Sequence, residues 1–342
     1  MRRQHSEKVG RLSRRLLFVN LLCMAALAAI IVLQAFPSSE AVRLRNAVLI
    51  EPSTPSDFSW SPEQIPAGFL LDATIEPEFA DIVRKIGVDR IADDKGKALA
   101  LAGHLTENSH IERPIQSDLA TTYRGIHDGA GYCSDFTAVY LGLAKAAGLF
   151  AREWGFSFDH FGGHGHAVIE VFDRQRGKWM LIDVFNNFYP VYAESSQALS
   201  VDEFRAFLNA QGPAVRFVKA GPGRAGMKYE DKLLAYYRRG VDQWYLWWGN
   251  GIFTYNAHPL VSALGHVSRS LEQLGGIAAG VHPHIRIIQT PTNEPMIARM
   301  MNLGKLVRGI AVAEIALALV AVGQLLWIRR IKRQSRNGVD GG

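Results

Sequence analysis

The sequence predicts a mixed α+β body held between two membrane-spanning helices. Three observations carry that expectation. Residues 16–36 and 309–328 are apolar runs long enough to cross a bilayer. Residues 133–147 repeat apolar side chains at helical spacing. Residues 166–185 alternate on either side of a polar turn, as two paired strands do.

The first run, LLFVNLLCMAALAAIIVLQAF, has no charge, and the second, GIAVAEIALALVAVGQLLWI, has only Glu314. A hydrocarbon core of ~30 Å needs about 20 helical residues. The first run is longer than a secretory h-region and no small-x-small site follows it, so it is expected to stay as an anchor. Glu314 is expected near the outer end of a tilted helix or against a neighbouring helix, and Cys23 as a small packing residue.

Charge sorts the classes further. Of the chain's net +6, residues 1–15 carry +5 and residues 329–342 carry +4, so the intervening chain is net −3. A nucleic-acid binder carries its positive charge on the folded body, so nucleic-acid partners are excluded. Basic tails outside both spans predict cytoplasmic termini. The expected localisation is a bacterial inner membrane, two-pass, with the body facing out of the cytoplasm and the lipid bilayer as a partner. Apolar residues at 48% exclude disorder, and two cysteines exclude a disulfide-built scaffold. Cys133 has no accessible partner, since Cys23 lies in a span, so no intramolecular disulfide is expected.

The organisation reads as a basic tail (1–15), a span (16–36), a Pro/Ser-rich spacer followed by an ordered approach to the domain (37–75), a domain (76–200), a helical and aromatic extension outside the cytoplasm (201–308), a span (309–328) and a basic tail (329–342). Phe79, Ile82, Val83 and Ile86, then Ala98, Leu99, Leu101 and Leu105, predict two helices. Phe136, Val139, Tyr140, Leu143 and Ala147 share one face of a third, and Gly148 fits its C-terminal stop. Strands are predicted over 150–156, 166–172 and 178–185, the last two joined by a turn at 173–177. Ser200 and Glu203 form a capping-box pattern ahead of Phe204. Residues 228–248 read as one long helix ending in Tyr236, Tyr237, Trp244, Tyr245, Trp247 and Trp248. That aromatic cluster fits core packing, a membrane interface or a stacking platform for substrate.

The candidate chemistry centres on Cys133. It opens the third helix, at the positive end of the dipole and beside amides without intrahelical partners; both favour an anionic sulfur nucleophile. The same amides suit an oxyanion. A hairpin centred between residues 174 and 175 sets His166 opposite Asp183 on one face of the sheet. Cys133, His166 and Asp183 then supply nucleophile, proton carrier and orienting carboxylate. A small buried thiol and a structural His–Asp pair would use the same residue types. The order helix-Cys, strand-His, strand-Asp favours catalysis. Glu170 shares the face of His166 and either lines the cleft or pairs with Arg152. His160, His164 and His166, with Asp159 or Asp183, offer a rival donor set for zinc. Their spacing in a Gly-rich loop is not a helix-borne metal motif, so His160 and His164 are read as a rim, and neither metal nor cofactor is expected.

The blocks GYCSDFTAVYLGLAKAAGLFAREWGF, GHGHAVIEVF and GKWMLIDVF resemble the core of the transglutaminase-like superfamily, over about residues 95–190. The resemblance implies a papain-type α+β core, its nucleophile helix packed on an antiparallel sheet, with Cys133, His166 and Asp183 as catalytic residues. Tyr123-Arg124-Gly125 stands where the family places its approach segment. The chain departs from the family at Val168, where an aromatic is common, and at Val184, where proline is common. His127 and Tyr132 are candidates for the oxyanion role that an upstream side chain fills in many members. The implied activity is acyl transfer at an amide bond of a peptide or protein substrate, with hydrolysis favoured. The alternative is a non-catalytic accessory module working with envelope or exopolysaccharide-assembly proteins; tolerance of Cys133→Ser would distinguish it.

Overall fold

The computed structural model describes residues 2–34, 38–108, 113–115, 117–209, 213–223 and 229–337. The helices in chain order are α1 (Arg2–Gln34), α2 (Ser38–Leu49), α3 (Pro77–Ile86), α4 (Asp94–Thr106), α5 (Leu119–His127), α6 (Cys133–Ala146), α7 (Val201–Leu208), α8 (Glu230–Arg239), α9 (Ile252–Asn256), α10 (Pro259–Gly265), α11 (Arg269–Ala278) and α12 (Glu294–Asn337). The strands are β1 (Ile50–Glu51), β2 (Ala151–Ser157), β3 (Gly165–Asp173), β4 (Lys178–Ile182), β5 (Phe188–Tyr192), β6 (Val215–Lys219), β7 (Trp244–Trp247) and β8 (Ile285–Ile287). The chain divides into two compact units, residues 1–48 with 301–342, and residues 49–300.

Helices α1 and α12 contain stretches long and apolar enough to cross a membrane, over Gly10–Leu33 and Glu294–Arg333. Leu16, Phe18, Leu22, Leu319, Val322 and Leu326 are exposed, as on helices that are apolar all round. Asn20 and Ala321 are buried, and Asn20 Nδ2 donates to the Leu317 carbonyl at 3.0 Å.

The second unit is built on a six-stranded sheet of order β1-β8-β7-β2-β3-β4. It is antiparallel except for the β1–β8 pair. A separate β5–β6 ribbon adjoins β4 through the Asp183–Phe188 bridge. Both faces of the main sheet are covered, so β3 is buried along almost its whole length. Ile169 and Val171 join a core with Phe79, Leu101, Val139 and Tyr140 from α3, α4 and α6. Val168 and Phe172 join a second, aromatic core with Trp60, Trp154, Phe204, Tyr237 and Trp244.

The expected α6 is present, and its end shows why Gly148 is needed. Gly148 adopts φ 72°, its N–H donates to Lys145 O, and Leu149 N–H donates to Ala144 O. This is the paired closure of a Schellman stop, which requires a left-handed residue. The Ser200–Glu203 capping box also forms: Ser200 N donates to Glu203 Oε2 at 2.8 Å, and Glu203 N to Ser200 Oγ at 3.3 Å.

Three expectations are corrected. The 228–248 segment is not one helix. Its residue 228 lies outside the described residues, α8 stops at Arg239, and the run Trp244–Trp247 is strand β7, paired to β2 and β8. A Cβ at Gly240 would sit 2.4 Å from the Phe156 ring, so the chain turns there against β2. Aromatic residues favour strands once neighbours are available. Trp244, Trp248 and Tyr237 are buried, so the cluster is core rather than interface or platform. The β3–β4 register pairs Ile169 with Ile182, which sets Asp183 diagonal to His166 rather than opposite. Asp173 pairs with Lys178, and the four-residue loop between them ends in left-handed Gly177. A shift of two keeps both side chains on one face. Residues 38–75 contain α2 and β1, and Phe58, Trp60 and Phe69 pack into the aromatic core. The main sheet also crosses the expected 200/201 division through β7 and β8.

Candidate active site

The start of α6 is fixed by its backbone. Gly131 has φ 120° and donates to Arg113 O at 2.8 Å, and a Cβ there would lie 2.9 Å from the Phe136 ring. Asp135 accepts from the Tyr132 amide at 2.8 Å and the Ile115 amide at 3.2 Å. Cys133 is therefore held as the first residue of the helix, half-buried, with a free thiol.

His166 is the second residue of β3 and stands at the end of the sheet. There the Cys133 sulfur acts on its ring. Its Nε2 lies 2.7 Å from Asp183 Oδ2. With Nε2 committed to the carboxylate, Nδ1 is the nitrogen left for sulfur. The imidazole is walled by Phe156, Phe185, Tyr236 and Tyr237, with ring centroids 5.8–6.1 Å away. Burial by itself lowers the His166 pKa. The Asp183 carboxylate, then the Cys133 sulfur, override it and hold the imidazolium up to about 10.

Asp183 follows β4 and is fully buried. A carboxylate there needs several donors. Asn186 supplies two, its backbone N–H to Oδ1 at 2.9 Å and its Nδ2 to Oδ2 at 2.7 Å. The Tyr237 hydroxyl also donates to Oδ2. Burial alone would raise the Asp183 pKa; the charge and hydrogen bond of His166, with Tyr237 and the Asn186 amide, hold it below the ordinary carboxylate range. Burial, with Asp183 beside it, keeps the Tyr237 proton in place well above its usual pKa. Sequence reasoning missed Asn186 and Tyr237. Asn186, three residues after Asp183 in a turn, had a local signal; Tyr237, 54 residues on, had none.

The other singled-out residues lie apart from this centre. Glu170 accepts from Arg152 Nε at 2.8 Å, from Trp154 Nε1 at 2.6 Å and from the Val201 amide at 2.6 Å, so it pairs with Arg152 instead of lining a cleft. His164 is exposed and bound to Asp159 at 3.0 Å, His160 is exposed, and His166 is buried against Asp183, so the loop histidines do not converge. His127 faces His104 and Tyr123. Tyr132 caps α6 with its ring exposed.

The fold is a transglutaminase-like α+β fold in which α6 packs against β2 and β3 of the sheet. Residues 82–184 match the family model of the transglutaminase-like superfamily, a segment that holds Cys133, His166 and Asp183. A crystal structure from Cytophaga hutchinsonii, provisionally named a cysteine protease, is similar at 22% identity and a TM-score of 0.28, over 39% of this chain. The match spans 45% of that chain, less than half its length. No curated protein matches.

Proposed function

We propose that the chain is a membrane-anchored cysteine enzyme that cleaves or transfers an acyl group at an amide bond outside the cytoplasm. The observation that carries this reading is the His166–Asp183 contact at 2.7 Å, set where Cys133 opens α6 and acts on the same imidazole. In the proposed reaction the Cys133 thiol passes its proton to His166, its sulfur attacks the amide carbonyl, and the tetrahedral oxyanion forms beside the first amides of α6. His166 gives its proton to the departing amine, leaving a thioester on Cys133. Water, or an amine in transfer, then attacks the thioester. His166 takes that nucleophile's proton and passes it to the departing sulfur, which is released as the thiol. Asp183 keeps the imidazole in one orientation throughout. Hydrolysis is the favoured outcome, with a peptide or protein as substrate.

The apolar helices and basic tails support placement in a bacterial inner membrane, both ends cytoplasmic. The test is mass spectrometry of full-length protein in detergent, incubated with a peptide-amide library and quenched in acid. The expected result is a thioester on Cys133 in the wild type that is absent from Cys133→Ala and also from His166→Ala, which lacks the proton donor for the departing amine. Product formation undiminished in Cys133→Ala would overturn the proposal. Complementation of a deletion phenotype by Cys133→Ser would favour the accessory-module reading.

A further inference from the structure

Outside the Cys133 centre, a second set of donors lies between α4 and α5. Nε2 of His104 is 2.9 Å from the Tyr123 hydroxyl. Nε2 of His127 is 3.2 Å from Nε2 of His104 and 3.1 Å from the same hydroxyl. Two nitrogens and one oxygen thus form a nearly equilateral triangle. Tyr123 and His127 are four residues apart on α5, which places them on one helix face. His104 meets them from the last turn of α4. The His127 ring stands edge-on to both others, at 4.8 Å from His104 and 5.1 Å from Tyr123.

Hydrogen bonding alone uses this arrangement poorly. An imidazole nitrogen has one in-plane position, filled by a proton or a lone pair. Each Nε2 here has two neighbours, so that single position is aimed into the space the three atoms share. In a tetrahedral zinc site with bonds of 2.0–2.2 Å, ligand atoms are about 3.3 Å apart. The triangle needs only a slight opening to match. All three residues are half-buried, so an ion and a water can reach its outer side. Glu107, at the end of α4, acts on His104 with the opposite charge and would offset a cation. Imidazole donors suit zinc-class metals, whereas calcium and magnesium require oxygen-rich sites.

We propose that His104, Tyr123 and His127 bind a zinc-class divalent metal ion, with water in the fourth position. The ion staples α4 to α5, the helix that leads through Gly131 into Cys133. No trio of His, Cys, Asp or Glu among the described residues offers such a site; the third donor is a phenol. Beside two imidazole nitrogens, the phenol oxygen is the weakest ligand of the three.

The test uses full-length protein in detergent, stripped with chelator and titrated with Zn²⁺ in equilibrium dialysis and with Co²⁺ by visible absorbance. Wild type is expected to retain one equivalent of zinc and to give the cobalt band of a four-coordinate N/O site. His104→Gln and His127→Gln should each weaken zinc binding tenfold or more. Tyr123→Phe should weaken it less and shift the cobalt band. Cys133→Ala should retain the equivalent. Absence of bound zinc, an equivalent that survives both Gln variants, or one lost in Cys133→Ala would overturn the proposal. So would an unchanged cobalt band in Tyr123→Phe, a variant that preserves the ring and its packing.

Discussion

Tyr237 donates its phenolic proton to Oδ2 of Asp183, the same oxygen that faces His166 Nε2 at 2.7 Å. The phenol comes from α8, beyond the 82–184 segment that carries the family match. With Asn186, it gives a fully buried carboxylate the donors that water would otherwise provide. The C-terminal part of the body is thereby joined to the candidate centre.

Tyr237→Phe removes that donor and keeps the ring. A hydrogen bond to a charged group contributes about 1.5–3 kcal/mol. The expected result is a lower thermal midpoint and a fall in kcat/KM of about 10- to 100-fold. Tyr237→Leu should cost more stability, because the ring also packs 5.1 Å from Phe156 and 5.2 Å from Phe204. Wild-type kinetics in Tyr237→Phe would remove the phenol from any positioning role.

The pH dependence follows from the His166–Asp183 pair. The folded pKa of His166 is raised from 6.5 to about 10, so its contribution to stability is full below 6.5 and lost as pH rises through 10. The folded pKa of Asp183 is lowered from 3.8, so its contribution is full above 3.8 and lost as pH falls through the folded value. Together they stabilise most between those two limits. The midpoint difference between wild type and His166→Gln should be largest near pH 5–6 and should shrink toward pH 10. The alkaline limb of kcat/KM should likewise fall near pH 10. A difference that grows with pH would contradict the assignment.

Arg152 and Glu170 form a buried pair at 2.8 Å, with side chains 2% and 1% exposed. The Arg152 guanidinium lies 3.8 Å from the Trp179 ring centroid and donates to the Phe58 carbonyl at 2.8 Å. Removing one partner of such a pair costs about 3–5 kcal/mol. Glu170→Gln and Arg152→Met should each lower the unfolding midpoint strongly, and Arg152→Met/Glu170→Met should recover part of the loss. Losses that simply add would exclude coupling.

Gly131→Ala places a methyl 2.9 Å from the Phe136 ring at φ 120°, a conformation that L side chains rarely adopt. The start of α6 must shift, and Cys133 with it. The rate of Cys133 alkylation should fall more than tenfold while the bulk of the fold persists by circular dichroism. Unchanged alkylation would show that the helix start tolerates the methyl.

Topology is open to a direct test. With both ends in the cytoplasm, a green fluorescent protein fused at either terminus should fluoresce, and alkaline phosphatase fused there should be inactive. Active phosphatase at the C-terminus would leave only one span crossing the membrane.

Much of the local structure was legible without coordinates. The two apolar helices, α6 with its glycine stop, the β3–turn–β4 unit and the Ser200 capping box depend on side chains one to four residues apart, and such spacing is written in the chain. The candidate residues Cys133, His166 and Asp183 were legible because their elements are consecutive. What lies far apart was not. The run Trp244–Trp247 fits a helix or a strand until β2 and β8 offer hydrogen-bonding edges, and Trp60 reads as spacer until Trp179 and Phe69 surround it. The register, the Tyr237 donor and the His104–Tyr123–His127 triangle were likewise settled only by packing. Local periodicity determines which face of an element is apolar; which other element covers that face is decided by the three-dimensional competition among all such faces.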